Sequence, residues 1–529
     1  MMHRCLQVPE ILDNIALKIY ERPIAPSSSW DDWGGHHFRE ARAALACLAR
    51  TCRMFKDPAL DVLWSFLKSF DPLIRCLLQD SWMEDADGFL ISSRPLCSSD
   101  GLVFQHYAKR VRVFGDSDVA YALFEPVSND MLGALCSVLS DTCYFLPNLQ
   151  ELNWFETQDN PFYELRSRNF YTLLPLFLSP RLTCLRLGLC TSSDLSTHVL
   201  PAISSLHISV PFIKHFQCFD TSEGFMQSIS EIIPQWHHFE YVDVGALSQN
   251  AITHLCSMKS LKHLGVRLDQ RDHNASANFP PSLESFAMFA PTLEACWRYL
   301  EDIHIACGHL LVDLTPRPGP SASSIQQFFA FIPSRFSATN LHILDVVSHG
   351  DQLDPTLAWS LGTFQPLFTF KNLTAFRTPS FCSAKLSDRD LEEIALAWPQ
   401  LEVLELGTGS DWRAPSLITF NGLLSVLQHC RQLRELGLVM DATVLAPITT
   451  DASNINITLF SVGCSDIHDP RAVAAFLLGI LPRLRKIKTS DLWFNPEFED
   501  RKTAWSKVEE LLESFSITGE LEGPRVEEG

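Results

Sequence analysis

Side chains able to do chemistry are plentiful in this chain of 529 residues, but their spacing argues against a built catalytic centre. The pairs His36-His37 and His237-His238 place two imidazoles next to each other, and adjacent side chains in extended backbone point to opposite faces. A metal would need carboxylates or thiols brought from elsewhere, so both pairs read as solvated or packed histidines. Asp388, Asp390, Glu392 and Glu393 read as the acidic start and solvated face of a helix, where negative charge complements the dipole. Gly407-Thr408-Gly409-Ser410 lacks the context of a dinucleotide loop, and the sequence contains no G-x-S-x-G, H-E-x-x-H or G-x-x-x-x-G-K-[ST]. Sixteen cysteines are scattered without a C-x-x-C pair or a zinc-type cluster, which suits reduced thiols packed as small apolar side chains. The expectation is a chain with no catalytic residues, no metal and no cofactor.

What recurs is an apolar phrase. It appears as Leu149/Leu152, Leu182/Leu185/Leu187, Leu261/Leu264/Val266, Leu341/Leu344/Val346, Leu401/Leu404/Leu406 and Leu433/Leu436/Leu438. Weaker copies stand at Ile203/Leu206/Ile208, Phe239/Val242/Val244, Leu283/Phe286/Met288, Leu373/Phe376, Ile455/Ile457/Leu459 and Leu484/Ile487. Within each phrase the later apolar residues alternate as they would on a short strand, leaving the residues between them on the opposite face. Helical patterns separate several phrases, at 387–398 with Ser387 as N-cap and at 422–430. This resembles the leucine-rich repeat, and Cys430-x-x-Leu433 resembles its cysteine-containing variety. The resemblance implies an α/β fold, an irregular solenoid in the form of a horseshoe with helices outside and parallel strands lining a concave face. That face would present Arg186, Arg267, Asp345, Arg377 and Glu405 to a target protein, along with His207, Asp243, Lys486 and Lys488. Both signs of charge occur, so no single preference follows. Residues 292–311 could be a repeat or one long helix, and 315–324 reads as a linker or looping insertion. Trp505, Val508, Leu511, Leu512 and Phe515 share one face of a helix that would cap the stack.

The N-terminal segment carries a different signal. Pro9 suits a first helical turn, and Ile11, Leu12, Ile15 and Ile19 then follow with helical spacing. Apolar residues resume at Ala41, Leu45, Leu48, Ala49 and Cys52, with Asp57-Pro58 expected to end that second helix. Leu60, Leu63, Trp64 and Leu67 form a third amphipathic turn. The pieces Val8-Pro9-Glu10-Ile11-Leu12, Ala46-Cys47-Leu48-Ala49-Arg50-Thr51-Cys52-Arg53 and Pro58-Ala59-Leu60-Asp61-Val62-Leu63-Trp64 resemble an F-box, the helical module that docks on the Skp adaptor of cullin-based ubiquitin ligases. The combination with repeats resembles the F-box proteins of mushroom-forming fungi. Val8, Pro9, Ile11, Leu12, Ile15, Leu63 and Trp64 would then hold the adaptor and through it a cullin. The stretch from Ser27 to Gly35 lengthens the family's first connection.

The resemblance divides the chain into a short N-terminal F-box-like helical domain at 3–67, a connecting region and start of the solenoid at 68–144, repeats at 145–495, and a capping helix with an acidic tail at 496–529. Lys109 to Phe114 reads as a first strand, and 130–139 as a helix. A net charge of −20 argues against nucleic acid, which needs a basic surface. No apolar run is long enough to span a bilayer and no secretory leader is evident, so a cytoplasmic or nuclear protein without a membrane partner is expected. The function implied is a non-catalytic, substrate-recognising subunit of an SCF-type ubiquitin ligase. The alternative is a leucine-rich scaffold with no ligase role.

Overall fold

A computed structural model describes residues 8–20, 36–115, 127–139, 144–155, 173–188, 200, 202–219, 223–269, 276–314, 320–348, 358–409, 415–447, 452–489 and 498–518. The side chains of 36–38, 155 and 515–518 lie outside this description, as do the 27–35 insertion, residues 315–319 and the acidic tail. The chain divides into two compact units, Met1–Leu247 and Ser248–Gly529.

The first unit begins with three helices, α1 (Pro9–Tyr20), α2 (His36–Thr51) and α3 (Arg53–Ser65). Pro9 opens α1, where its missing N–H has no partner to lose. The helices close on Ala16, Leu45, Ala59 and Val62, ringed by Ile19, Tyr20, Leu48, Ala49 and Leu63. One expectation is corrected: Asp57-Pro58 does not end the second helix. The break falls at Cys52, whose backbone is extended (φ −158°, ψ 167°), and Pro58 lies inside α3. Its lost bond falls early in that helix, and the buried neighbours Ala59 and Val62 hold the segment in place.

From α3 the chain passes straight into the strand Phe66–Leu67, which pairs in parallel with Val113–Phe114. The ladder therefore starts one strand earlier than the sequence suggested. It continues through Glu151–Phe155, Cys184–Gly188, His215–Cys218 and Tyr241–Gly245, all parallel. In register across these strands stand Leu67, Phe114, Leu152, Leu185, Phe216 and Val242, every one buried. A second correction concerns Ile203, Leu206 and Ile208. That copy is not a strand: Leu206–Ser209 is a short helix, and the rung is formed by His215–Cys218. Apolar residues three and five apart fit either geometry, and here the helical one prevails. His207 consequently lies off the ladder.

The second unit repeats the design with the parallel strands His263–Arg267, Ser285–Ala290, His309–Leu314, Ile343–Ser348, Ala375–Thr378, Val403–Leu406, Glu435–Leu438, Leu459–Gly463 and Lys486–Thr489. Its buried row runs Leu264, Phe286, Leu310, Leu344, Phe376, Leu404, Leu436, Phe460 and Ile487. Register is fixed where each strand begins, because one carbonyl accepts two N–H groups from the next repeat. Lys262 O takes those of Glu284 and Ser285, His342 O those of Thr374 and Ala375, and Glu402 O those of Arg434 and Glu435. Residues 292–311 resolve into a helix, Leu293–Leu300, and strands, so this is a repeat and not one long helix. Ile303 and Ile305 belong to a small parallel pair, Asp302–Ile305 with Ser276–Phe279.

Helices precede several of these strands. Ser387 caps Asp388–Ala397 as expected, with Asp390 completing a capping box. Glu499–Thr518 buries Trp505, Val508 and Leu512 against the end of the second unit, and Trp505 Nε1 donates to Ser465 O (3.0 Å). No described helix is long and apolar enough to cross a membrane. The result is a mixed α/β architecture of parallel strands and intervening helices, consistent with a leucine-rich-repeat solenoid.

Candidate docking surfaces

The seven N-terminal residues singled out by the F-box resemblance fall into two groups. Val8 (40% exposed), Pro9 and Ile11 (37%) lie open on the first turn of α1, and Met54 (39%) at the start of α3 is similarly open. Leu17 also faces outward from α1. Leu12 is buried, Ile15 half-buried, and Leu63 packs against the cluster of Ala16, Leu45, Ala59 and Val62. Trp64 turns the other way, its ring 4.7 Å from that of Tyr107 in the helix Ser98–Ala108. Met54 was not anticipated, because its position is meaningful only once the break at Cys52 sets the rotation of α3.

The same unit contains a buried cation. Arg110 Nη2 donates to Asp57 Oδ1 (2.7 Å), and Nη1 donates to Asp61 Oδ1. Both acids belong to α3, so this ion pair fastens the helical module to the chain entering Val113–Phe114.

On the outward face of the strands, the five candidate residues are partly gathered. Arg186 donates to Glu151 and to Asn153 Oδ1 (2.7 Å), in a cluster confined to the first unit. Asp243, in the same unit, is buried and accepts from Gln217 Nε2 (3.2 Å). In the second unit Asp345, Arg377 and Glu405 sit side by side in register on neighbouring strands. Asp345 accepts from His309 Nε2 (2.9 Å) and from Arg377 Nη1 (3.3 Å), while Arg377 Nη2 reaches Glu435 Oε2 (3.4 Å). Burial works against the Arg377 charge, but Asp345 and Glu435 outweigh it and raise its pKa. Glu405 Oε1 accepts from Thr408 Oγ1 (2.6 Å). Arg267 stands apart, its guanidinium 4.0 Å above the ring of Phe289. Sequence alternation could find each outward residue, but not His309 or Glu435 as partners, since those pairings depend on register.

Ser285 Oγ lies 3.3 Å from His309 Nδ1, which gives the order serine, histidine, aspartate. Two features oppose a nucleophilic role. Asp345 is already shared with the Arg377 cation, and the next outward row beside Ser285 and His309 is Gly265, Ala287 and Leu311, whose side chains offer no donor for an oxyanion. Among the described residues no group of three histidines, cysteines or acids is placed to hold a metal ion. Cys184, Cys296, Cys307 and Cys430 are buried, and burial pushes each thiol up to about 12.

No protein-family model matches the sequence, and no curated protein matches it either. The solved structures that match include two at low similarity. One is the leucine-rich repeat-containing protein LegL7 from Legionella pneumophila, at 12% identity and TM-score 0.30, with 50% of this chain and 85% of that one covered. The other is the complex of Rad7 and Elc1 in yeast, at 12% identity and TM-score 0.34, with coverage of 76% and 82%.

Proposed function

We propose that this chain is a recognition adaptor: its N-terminal helices dock on a Skp-type adaptor linked to a cullin, and its repeats hold a target protein for ubiquitination. The observation that carries the reading is the exposure of the apolar side chains Val8, Ile11 and Met54 on a three-helix module, in the segment whose sequence resembles an F-box. Catalysis belongs to other subunits in this reading. The chain contributes proximity, which makes the encounter of target and enzyme effectively intramolecular. A cytoplasmic or nuclear setting goes with that role.

A second reading, a repeat scaffold without a ligase role, draws on Leu12, Leu63 and Trp64. These three members of the docking set are engaged within the chain, which leaves a smaller free surface. Pull-down with purified Skp adaptor separates the two. Val8→Asp/Ile11→Asp is the informative variant, since both positions are exposed and the substitutions leave the helical core intact. Capture of wild type and loss of at least about tenfold in the variant supports docking through Val8 and Ile11. No capture of wild type leaves the scaffold.

A further inference from the structure

We draw no further inference here: the strongest candidate, the side-chain cluster of Asp345, Glu405 and Glu435 on the outward face of the second unit's strands, is a group of acids already engaged by His309, Arg377 and Thr408, and nothing in the structure shows what covers it.

Discussion

The carboxylate of Asp388, placed by sequence in the solvated first turn of its own helix, instead serves the next helix. It accepts from Thr419 N (2.6 Å) and Thr419 Oγ1 (2.6 Å), while Asp390 completes the cap at Ser387. A Cβ on Gly422 would stand 2.5 Å from Asp388 Oδ1, so the absence of a side chain there makes room for the tie. Asp388→Ala should cost about 1–3 kcal/mol in urea unfolding, more than an ordinary exposed acid. A loss of only a few tenths would show that Thr419 caps its helix unaided. His263 gives a pH signature. Burial, then the neighbouring His309, push its pKa down to about 4. An unfolded histidine titrates near 6.5, so between those values the unfolded chain binds a proton the native one refuses. The stability is fully present above about pH 6.5 and is lost as pH falls through 4, by at most about 3 kcal/mol. Denaturation at pH 7.5 and 5 should show this slope in wild type and a shallower one in His263→Gln; parallel slopes would place the effect elsewhere. At this scale the sequence found Ser387 as a helix cap and placed Arg377 at a strand position between inward apolar residues. Partners were illegible, since Asp388 to Thr419 and Arg377 to Glu435 are contacts made by stacking.

Elements were legible where large apolar residues had to fill the ladder's inward row. Leu401, Leu404 and Leu406 can serve a strand that begins after a turn, and Val403–Leu406 is that strand. The reading failed where spacing was compatible with two geometries, as at Leu206, and where an element was stabilised against its own propensity, as at Pro58. Within α3 that proline removes the bond its N–H would make to Met54 O. Pro58→Ala should therefore stabilise the N-terminal module by about 1–3 kcal/mol, visible as a higher melting temperature. An unchanged or lower value would mean that the ring itself packs productively. The closing helix Glu499–Thr518 was legible from its apolar face, and its anchor is Trp505, fully buried. Trp505→Ala should cost about 3–5 kcal/mol and destabilise the last strands first, which hydrogen exchange at Lys486–Thr489 would register.

At the level of the whole molecule, the function proposed depends on geometry being transmitted from the adaptor-facing helices to the repeats. Within the first unit there is a physical route for it. Helix α3 continues without a linker into Phe66–Leu67, Trp64 lies against Tyr107, and Arg110 is buried between Asp57 and Asp61. Three short helices on a core of two alanines, a leucine and a valine bury little by themselves, so the module should lean on the ladder for stability. Amide exchange in α3 should then track exchange in Val113–Phe114 and Glu151–Phe155. Arg110→Met removes the cation while keeping an apolar stem; it should accelerate exchange in α1, α2 and α3 together and leave Tyr241–Gly245 little changed. A module that exchanged independently of the ladder in wild type would be a tethered domain, and target position relative to the adaptor would then be set by partners rather than by this chain.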